Sequence, residues 1–309
     1  MRGRPAVALV VVAFRRPREL RALIAATRDP GIEQIVVNVE GDSQVTEISS
    51  GMACRNVILP DNRGYAAAVN AGVAASTAPT VVFSNDDVYC TAAVVLGLAR
   101  RCNEAGIVTV PQVTDGARSA LRTIQAALTV RSLALEWMVL PDAPVPALAR
   151  HLNVEKWRQP AGPELVPGAS AVMVAAPRDL LLEVPLPEAY FMYWEEAEWF
   201  VRLARRGVGV EYRPDLTVTH LGGRSVTSPE KQALLARNAV RCLRRLYGPR
   251  AAALGWPVTV AWHARLVVTA AARVALLRDG TASAASRRVL LHARVAGLFA
   301  ALGAWREIR

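Results

Sequence analysis

Short apolar runs alternate, through the first two thirds of the chain, with segments whose apolar residues recur every three or four positions. That alternation predicts βαβ units around a mainly parallel sheet. Residues 7–14, 34–39, 56–59, 80–84 and 106–111 read as strands. Between them, residues 17–27 read as a helix with proline in its first turn, and residues 91–103 as another. The stretch 61–72 reads as a helix opened by an Asp/Asn cap, with small residues that let it lie close on the sheet. Residues 165–174 read as a glycine-interrupted strand, followed by one helix from about 177 and a second in the latter half of 190–207. Residues 211–212 and 217–220 read as short strands. The segment 112–164 is the least legible, a helical stretch at 121–139 followed by Pro141, Pro144, Pro146, Pro160 and Pro163, and it reads as an insertion or lid. Three helical stretches, 228–247, 257–278 and 284–303, close the chain.

A chain of 309 residues that is 52% hydrophobic and 20% charged can bury a sizeable core. The charged start and the apolar residues 6–14 resemble a signal peptide, but Arg15, Arg16, Pro17 and Arg18 follow at once without a small-residue cleavage site. The stretch therefore reads as a first buried strand. Cys54, Cys90, Cys102 and Cys242 lack CxxC or metal-ligand spacing, which fits reduced thiols in a cytoplasm.

Charge changes the picture only at the C-terminal end. Residues 1–229 balance 23 Lys/Arg with 23 Asp/Glu, whereas 230–309 hold 14 basic and 3 acidic residues, so the whole net charge of +11 lies there. Such a tail suits nucleic acid, anionic lipid or an acidic partner. No helix-turn-helix or aromatic-and-basic stacking motif accompanies it, which argues against nucleic acid. His263, Arg265 and Arg273 interrupt the middle apolar stretch, so helices lying on a membrane surface fit better than a span. A helical cap on the α/β domain or a homodimer contact is the alternative.

Three groups of residues carry candidate chemistry. Asn85, Asp86 and Asp87 follow the strand 80–84, at the kind of sheet edge where ligands collect and where hard divalent cations find carboxylate oxygens. Glu195, Glu196 and Glu198 open a helix directly after the aromatic run 190–194. They read either as acids complementing the helix dipole or as a general base with a pKa raised by apolar walls. His220 ends a strand and precedes Gly222 and Gly223, which permit close approach of backbone to a ligand.

The ordered series Val10 to Phe14, Asn62-Arg63-Gly64-Tyr65 with Asn70 and Gly72, Asn85 to Asp87, Gly168 to Ser170, Trp194-Glu195-Glu196 and His220 to Gly223 resembles family-2 glycosyltransferases. It is most similar to their rhamnosyltransferase and galactofuranosyltransferase branch, over roughly residues 5–247. The resemblance implies an α/β, Rossmann-like GT-A fold over 1–229, with a nucleotide-binding half at about 1–111, an acceptor half at about 165–229 and a basic helical extension at 230–309. It implies an inverting hexosyltransferase with a nucleotide-sugar donor and a Mg²⁺ or Mn²⁺ cofactor. The acceptor it implies is a glycan or polyprenyl-linked glycan of cell-envelope polysaccharide synthesis, met at the cytoplasmic face of the membrane.

Residue by residue, the resemblance places Asp87 and His220 at the metal, with Asn85 and Asp86 beside it. Glu196 falls on the base, with Glu195 and Glu198 on flanking acidic positions that leave open whether Glu196 or Glu198 acts. Asn62, Gly64 and Asn70 fall in the nucleotide pocket. One departure stands out: Asn38 replaces the family's base-contacting aspartate; its amide can hydrogen-bond a pyrimidine edge, or Glu40 or Asp42 can substitute. That departure also admits a non-catalytic, nucleotide-sugar-binding or partner-binding relative.

Overall fold

The computed structural model describes residues 5–115, 123–135, 160–220, 228–276 and 284–308. Much of the expected insertion, including Pro141, Pro144 and Pro146, lies outside the described residues, as do Gly222 and Gly223. The chain divides into two compact units, one of Met1–Ala126 with Arg158–Gly223 and one of Ala127–Trp157 with Arg224–Arg309.

The first unit is built on a nine-stranded sheet in the order β3-β2-β1-β4-β8-β6-β9-β5, with β7 paired to β9. Its strands are β1 (Val7–Ala13), β2 (Ile32–Val39), β3 (Arg55–Leu59), β4 (Thr80–Asn85), β5 (Val88–Tyr89), β6 (Val108–Thr114), β7 (Glu164–Val166), β8 (Met173–Pro177) and β9 (Val210–His220). Helices α1 (Pro17–Ala26), α2 (Ser43–Gly51), α3 (Tyr65–Ala75), α4 (Ala92–Ala105), α6 (Arg178–Glu183) and α7 (Glu195–Ala204) connect them. Pairing is parallel through β3-β2-β1-β4 and again at β6-β9, with antiparallel β8 between the two blocks. Two antiparallel steps restore direction, so β1, β4, β6 and β9 all end at one edge.

β1 shows why its sequence is apolar without interruption. Ala8, Val10 and Val12 face one core, which includes α3 and Trp199, while Val7, Leu9, Val11 and Ala13 face the other, beneath α1 and α4. A strand covered on both faces has no polar side to show. This central position also disposes of the signal-peptide likeness.

Three local readings are corrected. The stretch 165–174 is two strands, β7 and β8, with Ala169 between them bridging Ile124. Residues 211–212 and 217–220 belong to one strand, β9, whose register against β6 shifts between Pro111 and Gln112. Helix α2 was not foreseen, because Ser43–Gly51 is polar and weakly helical except for Val45 and Ile48; Asp42 starts it by accepting from Gln44 N at 2.8 Å and Val45 N at 3.3 Å.

Helix α3 does not open through an Asp/Asn cap either. Its cap is Gly64, at φ 95°, and no side chain caps it. A β-carbon on Gly64 would stand 2.0 Å from the Phe191 carbonyl oxygen, to which Tyr65 N donates at 3.2 Å. Helix α3 is thus pressed against the turn that precedes α7. The expected close approach to the sheet is present: a β-carbon on Gly72 would lie 2.2 Å from Val10 Cγ1.

The second unit contains α5 (Val130–Ala134), α8 (Pro229–Tyr247), α9 (Pro249–Leu276), α10 (Ala284–Gly303) and a 3₁₀ turn, Ala304–Glu307. Ser228 caps α8 by accepting from Lys231 N at 3.1 Å. The middle helix begins earlier than the expected residue 257, with Pro257 inside it. Close packing marks the unit: a β-carbon on Gly255 would meet Leu243 at 2.1 Å, and one on Gly297 would meet His263 at 2.6 Å. Burial there lowers the His263 pKa to about 4, with Arg294 adding to the shift, so this histidine is a neutral core residue at neutral pH. Arg241 forks onto Glu307 at 3.0 and 2.9 Å, fastening the end of the chain to α8.

Gly64→Ala tests the α3 junction. Both the left-handed backbone and the carbonyl contact oppose a side chain, so a loss of at least about 2 kcal/mol is expected in urea unfolding. An unchanged midpoint would contradict the close approach.

Candidate active site

The common carboxyl edge of the sheet gathers most of the candidate residues. Asp86 and Asp87 directly follow β4, Phe14 and Arg16 follow β1, and His220 ends β9. β5 brings the last of these into place, since Val88 pairs with His220 in antiparallel register.

Asp87 is almost wholly buried, 4% exposed, so its charge needs compensation. Arg16 pairs with its Oδ2, and His220 Nε2 lies 3.1 Å from its Oδ1. Asp86 is also buried and accepts from Phe14 N at 2.8 Å. Desolvation outweighs that hydrogen bond and raises its pKa to about 6. Asp86 thus ties the end of β4 to the end of β1. Asn85, partly buried, donates its backbone N–H to Val172 O at 3.2 Å.

Tyr65 links this edge to the α7 carboxylates. Partly buried, it donates its hydroxyl to Ala171 O at 3.0 Å. Desolvation first, and then the charges of Glu195, Glu196 and Asp86, push its pKa well above the usual tyrosine value. The approach to α7 is strained, because Tyr193 (φ 69°) and Trp194 (φ 77°) are both left-handed. Consecutive aromatic residues in that region are held by their surroundings and re-aim the helix start.

The three glutamates of α7 divide into different environments. Glu198 is buried and accepts from the Tyr190 hydroxyl at 2.6 Å, which makes it part of the support beneath the helix. Glu195 is 5% exposed, and its Oε2 has no hydrogen-bond partner among the described residues. Burial, and then the Glu196 charge, raise its pKa well above the ordinary range. Glu196 is partly buried and hydrogen-bonded to Gln125; burial raises its pKa as well. The two adjacent carboxyls titrate together, and an elevated pair holds a proton or accepts one readily.

Two expected nucleotide contacts are engaged elsewhere. Asn38 is fully buried, its Nδ2 donating to Asp42 O and Thr46 Oγ1, each at 2.9 Å, while its Oδ1 accepts from Asp42 N at 2.8 Å. Both the nitrogen and the oxygen of the amide therefore hold the loop into α2. Asn70 likewise clasps the segment after α6, donating to Leu186 O and Glu188 Oε1 and accepting from Leu186 N. Asn62 accepts from Gly64 N at 3.1 Å and shapes the turn before α3. Glu40, left-handed and exposed, pairs with Arg15 at 3.1 Å. Arg16, Tyr65 and Gln125 were not singled out as site residues. Arg16 stood within the basic run 15–18, and Gln125 within the illegible segment.

Glu195→Gln tests the electrostatic reading without recourse to activity. A carboxyl with a raised folded pKa makes the native state bind more protons than the unfolded one, so stability falls as pH rises above the ordinary glutamate value of 4.5. The variant should be more stable at pH 7 by about 1 kcal/mol or more, with a flatter stability profile between pH 5 and 8. Equal profiles for both proteins would contradict an uncompensated buried carboxyl.

No curated protein matches the chain. Among solved structures, the mannosyltransferase of Pyrobaculum calidifontis, in complex with GDP-mannose and Mn²⁺, is similar at a TM-score of 0.54 and 14% identity, over 96% of this chain and 88% of that one. Glucosyl-3-phosphoglycerate synthase of Mycobacterium tuberculosis, in complex with Mn²⁺, UDP and glucosyl-3-phosphoglycerate, is similar at 0.54 and 19%, over 80% and 81%. At these identities the likeness establishes the GT-A fold. Residues 8–133 match glycosyl transferase family 2. With that match carried on a GT-A fold, the chain is a glycosyltransferase.

Proposed function

We propose that the chain is an inverting glycosyltransferase that moves a sugar from a nucleoside diphosphate to an acceptor hydroxyl, with Glu196 as general base. The observation that carries this reading is the pairing of Asp87 with His220, 3.1 Å apart at the carboxyl edge, in the same unit as the raised carboxyls of α7. Asp87 and His220 offer an oxygen and a nitrogen donor suited to Mg²⁺ or Mn²⁺, as both similar structures contain Mn²⁺. Among the described residues no group of three or more His, Cys, Asp or Glu forms a metal site, so the donor phosphates would complete the coordination. When bound, the cation would neutralise charge building on the departing diphosphate. Arg16, which balances Asp87 here, is placed to turn toward the phosphates when a cation takes over that carboxylate.

Transfer requires the acceptor oxygen to bond the anomeric carbon as the bond to the diphosphate breaks. The acceptor proton passes to Glu196, whose raised pKa makes it a stronger base than an exposed glutamate. Glu198 is held by Tyr190, which favours Glu196 between the two candidates left open by the sequence. We read the donor as a dTDP-rhamnose-like or UDP-linked sugar. The support is the ordered motif series of the rhamnosyltransferase branch, and because Asn38 is fully engaged, base contacts fall to other groups around the pocket. The acceptor is read as a glycan or polyprenyl-linked hydroxyl of the cell envelope, reached at the cytoplasmic face of the membrane; the basic C-terminal helices support it.

Donor binding and chemistry separate in two variants. Melting temperature should rise with TDP-, UDP- or GDP-sugars in the presence of Mn²⁺, and Asp87→Ala should abolish the metal-dependent part of that rise. Glu196→Gln should keep the rise while losing transfer by about 10²- to 10⁴-fold. Near-normal turnover by Glu196→Gln would remove the base assignment, and an unchanged metal effect in Asp87→Ala would move the metal.

A further inference from the structure

Helices α9 and α10 show apolar side chains to solvent along much of their length. Neither contains an aspartate or glutamate over Pro249–Leu276 and Ala284–Gly303. Their exposed positions are largely apolar: Leu254 is 65% exposed, Val268 66%, Val289 50% and Phe299 69%, with Trp305 at 43% in the turn that follows. At 100° per residue, Leu254, Ala261, Val268 and Ala272 fall on one stripe of α9, and Val289, Ala296 and Phe299 on one stripe of α10. The opposite faces are occupied, since Leu266, Ala270, Ala293 and Ala301 are buried and Trp256 Nε1 donates to Ala301 O at 2.9 Å. These stripes are thus outward faces, and water is a poor solvent for them.

Among the described residues, the exposed charges of α9, α10 and the closing turn are arginines, and Glu230 of α8 lies near His292 of α10. Arg250, Arg288 and Arg306 are exposed, and Arg265 lies over the Trp262 ring, 4.6 Å from its centroid. The single acid of the closing turn, Glu307, is already taken by Arg241. No helix among the described residues is long and apolar enough to cross a membrane. An exposed apolar stripe with arginines beside it suits the boundary of an anionic bilayer, where apolar side chains can enter the acyl region while cations meet the head groups. Arg265 can lie flat against Trp262 and extend toward phosphate, as amphipathic side chains do at such a boundary.

We propose that the outward faces of α9 and α10 form a docking surface for an anionic lipid bilayer. Complementarity of charge selects this occupant over a second copy of the chain. Residues 230–309 carry 14 basic and 3 acidic residues, so pairing two such faces would oppose like charge around an apolar seam. An anionic bilayer offers the opposite charge and an apolar layer beneath it. The proposal rests on the membrane-face reading of the C-terminal helices, and the transfer chemistry plays no part in it.

Co-sedimentation of the full-length protein with sucrose-loaded vesicles tests the surface. Binding is expected to vesicles of phosphatidylcholine mixed with phosphatidylglycerol, to be weaker with phosphatidylcholine alone, and to fall as salt rises. Val268→Ser combined with Phe299→Ser should weaken partitioning by about tenfold or more, because two exposed apolar side chains no longer enter the bilayer. Both positions face solvent, so the melting temperature and the Mn²⁺-dependent donor shift should be unchanged. Arg288→Gln should weaken binding to the mixed vesicles alone. Absence of binding to anionic vesicles would overturn the proposal, as would binding indifferent to the serine pair. Concentration-dependent dimerisation without lipid, abolished by the serine pair, would assign the face to a second copy instead. Glu196→Gln protein should bind vesicles like the parent, so failure of the transfer reading and failure of this one remain distinguishable.

Discussion

A carboxylate as deeply buried as Asp87 survives only if its charge is answered, and in this chain it is answered from two strands at once. Arg16 comes from the end of β1 and His220 from the end of β9. That arrangement requires the strands to end at one edge, which in turn requires the two antiparallel steps around β8. The sheet order, the continuous apolar character of β1 and the short strand β5 all serve that convergence. An alternating β1 with one polar face would leave half the sheet uncovered, and the edge would lose its fixed geometry.

The opposite electrostatic choice is made at α7. There, burial raises the carboxyls of Glu195 and Glu196, and no cation among the described residues answers them. One end of the site therefore holds a stabilised negative charge suited to a cation, and the other holds carboxyls with a high proton affinity. Tyr65 lies between them and feels both. The separation is maintained by backbone: Gly64 meets the Phe191 carbonyl, and left-handed Tyr193 and Trp194 turn the chain into α7. Pushing two groups of one chemical type to different protonation behaviour is how a fold runs metal binding and base chemistry side by side.

Much of this was legible in the sequence because it depends on local pattern. The doubly covered strand showed in residues 7–14, the acidic strand end in Asn85 to Asp87, and the small-residue helix in Ala66 to Gly72. What was not legible depends on tertiary partners. Asn38 stands where a base contact was expected, yet its amide is consumed by Asp42 and Thr46 because the polar helix α2 begins there. Asn70 is drawn into a clasp with Leu186 and Glu188, more than a hundred residues away in sequence. Arg16 gave no signal of its own, since nothing in a basic run says which arginine will find a buried acid. That Gly64 also caps α3 was not legible, since its place there is fixed by a carbonyl from another segment.

The central claim is that Asp87 and His220 together hold the cation that serves the donor diphosphate, and pulsed electron paramagnetic resonance of Mn²⁺ tests it most directly. With UDP or TDP present, the bound Mn²⁺ should show nitrogen modulation from an imidazole together with phosphorus coupling from the nucleotide, and His220→Gln should remove the nitrogen signal alone. Phosphorus coupling without nitrogen modulation in the parent protein, or nitrogen modulation that persists in His220→Gln, would contradict the account.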